Sequence, residues 1–243
     1  MRIDILTLFP EMFDGPLASS IVQRARQAGV VEIVLTNLRD FARDKYRKVD
    51  DAPFGGGAGM VMMCQPVFDA VAAVRGQAQP PGRVILMTPQ GRPFSQAIAR
   101  QLAGQPRLIL VAGHYEGFDE RIRQVLADDE ISLGDFVLSG GEIPAMAVVD
   151  AVVRLLPGAL GSPQSLAEES FAEGLLEYPQ YTRPRVFGDL AVPEILLSGD
   201  HARIQQWRHE QALRRTRQRR PDLWQAYCRE HPDVQNDDEA EPR

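Results

Sequence analysis

The chain has 243 residues, of which 44% are hydrophobic and 25% are charged, and its formal net charge is −6. This length holds one large domain or two modest ones, and the apolar content is sufficient for a hydrophobic core. Cys64 and Cys228 form no CxxC pair, which argues against a disulfide scaffold or a cysteine zinc site. No apolar run approaches the roughly 20 residues that span a bilayer, and the first residues lack a signal-peptide pattern. We therefore expect a soluble, cytoplasmic protein with no membrane partner.

The charge is distributed unevenly. Seven arginines and two acidic residues lie in residues 200–220, whereas seven acidic residues and two arginines lie in residues 221–243. A local basic segment inside an acidic chain is typical of phosphate contact, because affinity depends on the local field rather than on the total charge. A solvated, arginine-rich helix face is the alternative interpretation.

Apolar strands alternate with helices through the first two thirds of the chain. Strands are predicted over residues 2–9, 30–36, 83–87 and 107–112. Helices are predicted from Ser19 or Ser20 to residue 28, with Gly29 as a C′ glycine, and over residues 66–75, 95–103, 119–126 and 144–156. This alternation predicts an α/β fold with a mostly parallel sheet that is covered on both faces.

The periodicity is lost over residues 157–170, which are rich in Gly, Ser, Pro, Gln and Glu. This composition predicts a linker or mobile loop and a domain boundary. Beyond it we predict an extended segment (178–185), one long helix carrying the basic residues (198–219) and a short helix (221–227). Residues 233–243 are acidic and nearly free of apolar groups, which predicts disorder.

The chain is organised around residues 131–144, ISLGDFVLSGGEIP. Two short apolar pieces flank a turn at Gly134 and Asp135, and paired glycines precede a helix that opens at Pro144. Proline fits the first turn of a helix, and Gly140 and Gly141 leave peptide groups bare for close approach to a ligand. An ordinary strand, turn and helix is the alternative interpretation.

Two further segments follow predicted strands, MTPQGRP (87–93) and GHYEGFDER (113–121). Ligands of parallel sheets bind beyond the carboxyl ends of the strands, so these segments and residues 131–144 are expected to share one site. Tyr115 offers a ring and Glu116 a carboxylate, while His114 is either a base or a structural residue.

Motifs for two common nucleotide folds are missing. The chain has no GxGxxG fingerprint, and GGGAGM (55–60) lacks the GK[ST] ending of a P-loop. This argues against a dinucleotide-binding fold and a nucleotide hydrolase. The glycine segment belongs to a longer irregular stretch (47–62), which is either a loop that closes over a substrate or a surface excursion.

A third group joins Glu168 and Glu169 of the linker with Arg154 on the preceding helix. A carboxylate near an arginine can act as a general base beside an anion-stabilising cation. A solvated acidic linker is the alternative.

Five motifs taken together, in this order and spacing, point to a known family. GGGAGMVM, TPQGRPFSQ, GHYEGFDER, ISLGDFVLSGGEIPAM and YTRP resemble the bacterial tRNA (guanine-N1)-methyltransferases of the TrmD family over residues 2–224. The resemblance implies a SPOUT-type α/β fold whose sheet domain ends in a trefoil knot, plus a small helical C-terminal domain. It divides the chain into a cofactor-binding domain (1–160), a flexible linker (161–172) and a tRNA-binding domain with an acidic tail (173–243).

The resemblance also implies the ligands. They are S-adenosylmethionine, with magnesium for catalysis, and the protein is expected to be an obligate homodimer with its active sites between subunits. The residues implied for cofactor binding lie in three segments: Leu86, Met87, Thr88 and Pro89; Gly113, Tyr115, Glu116 and Gly117; and Ser132, Leu133, Gly134, Asp135, Phe136, Val137, Leu138, Gly140, Gly141 and Pro144.

The implied reaction is methylation of ring nitrogen 1 of the guanosine 3′ of the tRNA anticodon. Glu169 matches the general base and Arg154 the group that stabilises charge on the neighbouring carbonyl oxygen. The family usually has aspartate where this chain has Glu169, so Glu168 is an alternative base. It commonly has histidine where this chain has Gln180, a difference that affects a local tRNA or packing contact. The residues implied for RNA contact are Asp50, Gly59, Arg183, Arg203, Trp207, Arg214 and Arg215.

Two rival functions remain open from the sequence. One is a SPOUT enzyme that methylates a ribose hydroxyl of ribosomal RNA, for which a base aimed at a purine is unnecessary. The other is an RNA-binding protein without catalysis, which the change from aspartate to glutamate would favour.

Overall fold

The computed structural model describes residues 1–161, 166 and 168–236. Contacts within it divide the chain into two compact units, residues 1–161 and residues 162–243. The predicted linker residues 162–165 and 167, and the tail from residue 237 onward, lie outside the described residues.

The strands, in chain order, are β1 (Arg2–Thr7), β2 (Glu32–Asn37), β3 (Asp50–Asp51), β4 (Val61–Met62), β5 (Arg83–Pro93), β6 (Arg107–Ala112), β7 (Asp129–Ser132), β8 (Val186–Phe187) and β9 (Leu190–Ala191). The helices are α1 (Asp14–Leu17), α2 (Ser20–Gln27), α3 (Cys64–Gln77), α4 (Gln96–Ala103), α5 (Glu120–Leu126), α6 (Glu142–Val153), α7 (His201–Arg219), α8 (Pro221–Glu230) and α9 (Pro232–Asn236). Short 3₁₀ segments lie at Pro10–Phe13, Leu38–Phe41 and Glu194–Leu197.

Five strands of the first unit form one parallel sheet in the order β2-β1-β6-β5-β7. The central strand β6 is buried along its whole length. Successive side chains alternate between two cores, with Leu108 and Leu110 in one and Ile109 and Val111 in the other. Helices therefore cover both faces, and the predicted parallel α/β fold is confirmed. The trefoil knot stays a prediction.

Several element boundaries differ from the sequence pattern for local reasons. The second strand begins at Glu32 rather than residue 30, because the N–H groups of Val30 and Val31 both donate to the carbonyl of Ala25 at the end of α2. Gly29, at φ +69°, takes the left-handed conformation predicted for a C′ glycine. Helix α6 begins at Glu142, so Pro144 lies within its first turn.

A buried ion pair joins two neighbouring strands at the amino-terminal edge of the sheet. Asp4 on β1 and Arg107 on β6 are 0% and 2% exposed, and Arg107 Nε donates to Asp4 Oδ2 at 2.8 Å. The other guanidinium nitrogens donate to the carbonyl oxygens of Val74, Ala78 and Pro80. Because each of the three guanidinium nitrogens donates a hydrogen bond, this pair ties β1, β6 and the end of α3 together.

The second unit has its own small core. Leu175, Ala212 and Tyr227 are buried together, with Trp224 packed against them. Thr216 of α7 is fully buried, and its hydroxyl accepts the N–H of Leu176 at 2.8 Å. Residues 232–236 are helical, although the sequence predicted disorder from residue 233. None of the described helices is long and apolar enough to cross a membrane.

Replacing Arg107 with methionine should lower the free energy of unfolding by about 3–5 kcal/mol, because the change removes a buried cation from the buried Asp4 and takes the donor from the buried carbonyl of Val74. Arg43→Met is the matched control, since Arg43 and Asp69 form an exposed pair at 2.7 Å whose loss should lower the stability much less. Urea denaturation of both variants measures the difference. Equal losses would show that burial does not strengthen the Asp4 pair.

Candidate active site

A cavity of about 200 Å³ lies at the carboxyl ends of β5, β6 and β7. Its walls contain residues of all three segments expected to share a site. The lining residues that the sequence analysis named are Met87, Thr88, Pro89, Gly113, Tyr115, Glu116, Gly117, Ser132, Leu133, Phe136, Val137, Leu138, Gly140, Gly141 and Pro144. Main-chain groups of glycines and apolar side chains therefore dominate the wall.

Two glycines bring the backbones of separate segments into direct contact. The N–H of Gly141 donates to the carbonyl of Gly113 at 2.6 Å. A Cβ atom at Gly141 would lie 2.6 Å from the nitrogen of Gly113 and 2.8 Å from the Cα of Ala112. No side chain fits between the segment after β6 and the start of α6, so the close approach requires glycine at position 141.

The segment after β6 is also fixed from the other side, by the end of the glycine-rich stretch. Glu116 donates its N–H to Met60 at 3.0 Å, and Met62 donates its N–H to Gly117 at 2.9 Å. A Cβ at Gly59 would overlap the carboxylate of Glu116. The stretch named as a possible substrate loop thus ends against the cavity wall.

Tyr115 is the residue of this wall with an unusual backbone. Its φ of +59° lies in the left-handed region, where the backbone of a residue other than glycine is strained. Burial and the negative charge of Asp50 raise the pKa of its phenol. Tyr115 therefore connects the cavity with Asp50, one of the residues implied for RNA contact.

Polar side chains fix the floor of the cavity. Arg123 of α5 donates to the hydroxyl of Thr88 at 3.0 Å and pairs with Glu130 of β7. Asp119 accepts the N–H of Arg121 at 2.9 Å and so caps α5, and the Arg121 guanidinium holds the pKa of that carboxyl well below its usual range. Arg123 was missed by the sequence analysis, because nothing in its spacing indicates that α5 faces Thr88.

Other residues of the wall were also not among the expected ligands. They are Gln90, His114, Phe118, Arg123, Ile131 and Ser139. Their neighbours in sequence were named, so a prediction by segments rather than by single residues would have included most of them.

Three expected cofactor residues do not line the cavity. Leu86 precedes Met87 on β5, so by alternation its side chain packs into the core on the opposite face of the sheet. Gly134 lies against the ring of Phe136, and Asp135 is exposed.

Arg154 lies at the far end of α6 from the cavity. It is the C-cap residue of the helix whose first turn contains Pro144. At a rise of about 1.5 Å per residue, Arg154 is about 15 Å from Pro144 along the helix axis. The structure does not bring Arg154 to the cavity of its own chain.

The two candidate bases lie in the second unit and differ in their surroundings. Glu168 accepts the phenol O–H of Tyr178 at 2.7 Å and lies 3.5 Å from Nη1 of Arg208. The Arg208 guanidinium stacks 4.6 Å from the centre of the Tyr178 ring. Burial and the contact with Glu168 raise the pKa of Tyr178. The half-buried Glu169 follows, and its carbonyl accepts the N–H of Ala172 at 3.0 Å.

Four of the residues implied for RNA contact lie on α7, where they divide between two faces. Arg203, Trp207 and Arg214 are spaced by four and seven residues and therefore share one face. Arg215 lies on another face, where its guanidinium is 3.5 Å from the carbonyl of Glu177.

Arg183 belongs to a separate groove of the second unit. This groove is lined by aromatic and basic side chains: Tyr178, Tyr181, Arg183, Arg185, His201 and Arg208.

Comparison with known proteins supplies the context for this site. The family model described as tRNA (Guanine-1)-methyltransferase TrmD matches residues 1–226. The chain belongs to this family. The predicted TrmD resemblance is thereby confirmed, and the chain is that of a methyltransferase.

Relatives named tRNA (guanine-N(1)-)-methyltransferase are similar along nearly their whole length. The protein of Pelotomaculum thermopropionicum is 60% identical over 92% of this chain and 89% of its own. That of Moorella thermoacetica is 59% identical over 92% and 90%. The protein of Staphylococcus haemolyticus is 56% identical over 93% and 92%.

The cofactors expected of a TrmD protein fit the site unequally. The bare main chain at Gly113, Gly140 and Gly141 and the apolar side chains beside it suit a nucleoside, so the cavity fits S-adenosylmethionine. Within the described residues, no group of three or more His, Cys, Asp or Glu side chains could hold a metal ion. The described residues therefore do not form a resident magnesium site of that kind.

Gly141→Ala should weaken binding of S-adenosylmethionine at least about tenfold, because overpacking at this contact displaces Gly113 from the cavity wall. Gly76→Ala is the control, since a Cβ there meets nothing within 4 Å. It should leave the affinity unchanged while raising stability by about 0.5–1 kcal/mol. Isothermal titration calorimetry measures the affinity of both variants. Wild-type affinity in Gly141→Ala would contradict the assignment of this contact.

Proposed function

We propose that this protein transfers the methyl group of S-adenosylmethionine to ring nitrogen 1 of the guanosine 3′ of the tRNA anticodon, at position 37, in the cytoplasm. The observation that carries the proposal is a glycine-lined cavity at the carboxyl ends of the sheet in a chain of the TrmD family. A glycine-lined cavity fits a cofactor, while the family defines the class of reaction.

The cavity residues bind and orient the cofactor. The glycines at positions 113, 140 and 141 leave the cavity wall without side chains, so main-chain groups beside their mutual contact can pair with the edges of an adenine ring, and Leu133 and Leu138 offer apolar contact to its faces. The exposed carboxylate of Glu116 can meet a cationic amine at the rim. S-adenosylmethionine, when bound, supplies a methyl group attached to a positively charged sulfur.

The acceptor nitrogen requires a base. Nitrogen 1 of guanine carries a proton at neutral pH, so its lone pair becomes available only when that proton is removed, and negative charge then develops on the neighbouring carbonyl oxygen. We assign the proton to the carboxylate of Glu169 and the stabilisation of the oxygen to the guanidinium of Arg154.

The surroundings of Glu168 favour Glu169 as the base. The carboxylate of Glu168 already accepts a hydrogen bond from Tyr178 and faces Arg208. Both contacts hold this carboxylate against side chains of its own unit. Glu168 therefore has a structural role in holding the segment that carries Glu169.

The position of Arg154 supports an active site shared between two copies of the chain. Arg154 is about 15 Å along α6 from the first helical turn at the cavity, which is too far for its guanidinium to act there. Phe136 and Val137 of the cavity wall and Ile143 beside it are 55%, 85% and 51% exposed. Such a group of exposed apolar side chains is typical of a protein interface. We therefore propose a homodimer in which Arg154 serves the partner's cavity.

The second unit supports binding of RNA. Arg203, Trp207 and Arg214 form a basic face with an aromatic ring, and the groove with Tyr181 and Arg183 combines the same residue types. Aromatic rings stack on unpaired bases and arginines contact phosphates, which is how single-stranded loops are recognised. We propose that these surfaces hold the anticodon arm while the target base leaves its stack.

Glu169→Gln should reduce the single-turnover rate of methyl transfer to tRNA by about 10²–10⁴, because the base is removed while the size of the side chain is kept. Glu168→Gln should reduce it much less, because this change alters only the contact with Tyr178 and Arg208. Incorporation of labelled methyl groups into a tRNA transcript with guanosine at position 37 measures both rates. A transcript with adenosine there is the control.

Three results would overturn parts of the proposal. A larger loss in Glu168→Gln would reassign the base. Wild-type activity of Glu169→Gln would favour a ribose methyltransferase. Cofactor and RNA binding without any methyl transfer by the wild-type protein would favour a non-catalytic RNA-binding protein.

A mixing experiment tests the shared active site. At a cofactor concentration well below the wild-type KM, Gly141→Ala and Arg154→Ala homodimers should each have little activity, and exchange of subunits should restore about a quarter of the wild-type activity. Half of the randomly mixed dimers combine both variants, and one of their two sites has an intact cavity with an intact partner arginine. If Arg154 served its own chain, the mixed dimers would remain inactive. Size-exclusion chromatography of each variant controls for loss of the dimer.

A further inference from the structure

A carboxylate is buried directly behind the cavity wall. Glu142 is the first residue of α6 and is 1% exposed. Its Oε1 accepts the hydroxyl of Thr7 from β1 at 2.8 Å. The helix amino terminus stabilises a negative charge at this position, but a buried carboxylate ordinarily has a cation or several donors around it. Neither the cavity wall nor the proposed reaction uses this group directly.

His114 is the ionisable residue beside that carboxylate. Its Nδ1 lies 3.9 Å from Oε2 of Glu142. Nδ1 is buried and makes no hydrogen bond, since 3.9 Å exceeds hydrogen-bond distance. The imidazole packs against the rings of Phe9 and Tyr115, with centroids 5.1 Å and 4.9 Å away. Ring packing therefore holds the imidazole with a polar atom near the carboxylate.

The pair lies where the two cavity segments meet. His114 and Gly140 form an isolated antiparallel bridge, beside the bond from Gly141 to Gly113. A Cβ at Gly140 would overlap both Oε2 of Glu142 and Nδ1 of His114. The glycine at position 140 thus leaves space for this pair, and the pair in turn lies against the backbone that lines the cavity.

We propose that Glu142 and His114 are positioning residues for the cofactor. Nδ1 of His114 carries the proton and faces the carboxylate, which holds the imidazole in one tautomer and one orientation. Since His114 lies between Gly113 and Tyr115, that orientation sets the distance between the segment after β6 and the segment before α6. The proposal depends on the proposed function only in naming S-adenosylmethionine as the ligand of the cavity.

Calorimetry with S-adenosylhomocysteine, the product form of the cofactor, tests the pair by substitution. Glu142→Gln keeps the shape of the side chain, and His114→Phe keeps the ring packing. Each should weaken binding about 5- to 30-fold, and the double variant should be no weaker than the worse single one, because both remove the same interaction. The rate at saturating cofactor should fall less than the cofactor KM rises. Multiplied losses in the double variant would overturn the proposal.

Asp4→Asn is the matched control. Asp4 also has a buried carboxylate, but it lies on β1 at the edge of the sheet opposite to the cavity. The substitution should lower the Tm without changing the affinity for S-adenosylhomocysteine. If Glu142→Gln behaved in the same way, its role would be merely structural and the proposal would fail. A wild-type protein that did not bind S-adenosylhomocysteine would instead contradict the proposed function.

A measurement on the unmodified protein covers the case in which the variants do not fold. Nitrogen-15 NMR of the histidine rings distinguishes the two neutral tautomers. We expect His114 to carry its proton on Nδ1. A proton on Nε2, with Nδ1 bare towards the carboxylate, would overturn the proposal.

Discussion

The contact on which the site depends joins two peptide groups without side chains between them. The N–H of Gly141 donates to the carbonyl of Gly113 at 2.6 Å, and this bond closes the gap between the end of β6 and the start of α6. A backbone contact of this kind leaves neighbouring main-chain groups exposed to the cavity, whereas side chains would cover them. In the proposed function, the main chain that this close approach leaves exposed is what recognises the nucleoside of the cofactor.

Strand β1 carries a buried polar residue near each end, and the two have different surroundings. Asp4, at the amino-terminal edge, is bound by Arg107, whose other two guanidinium nitrogens donate to carbonyl groups. Thr7, at the carboxyl edge, donates to Glu142, which has His114 beside it at a distance longer than a hydrogen bond. The more extensively hydrogen-bonded network therefore lies at the edge remote from the cavity. The less complete network lies at the edge where ligands of parallel sheets bind.

The sequence predicted those features that depend on neighbouring residues. Gly29 was placed as a C′ glycine because it follows an apolar helical pattern, and its φ of +69° agrees. The alternation of strands and helices was sufficient for the parallel fold, since it reflects burial on both faces. The segments that line the cavity were found from glycines placed after apolar strands, and the family motifs added the single residues.

Contacts between distant parts of the chain could not be predicted in this way. The hydrogen bond from Thr7 to Glu142 joins residues 135 positions apart, and neither residue has a local pattern that indicates it. The extension of β5 to Pro93 depends on pairing of Arg92 and Pro93 with β7, although the sequence reads as a loop after Met87. The family resemblance implied Leu86 as a cofactor residue, but alternation along the strand directs its side chain to the opposite core.

Hydrogen bonds fix the segment that carries Glu169 within the second unit. The N–H of Glu177 donates to Ser170 Oγ at 3.0 Å, and the N–H of Leu176 donates to Thr216 of α7 at 2.8 Å. The backbone around Glu169 is thus fixed to the helix that carries Arg203 and Arg214. Because that backbone is held by these bonds, the extra methylene relative to aspartate must be accommodated by the side-chain torsion angles of Glu169. The candidate base and the basic face of α7 therefore belong to one body, so RNA held by this helix has a defined position relative to the carboxylate.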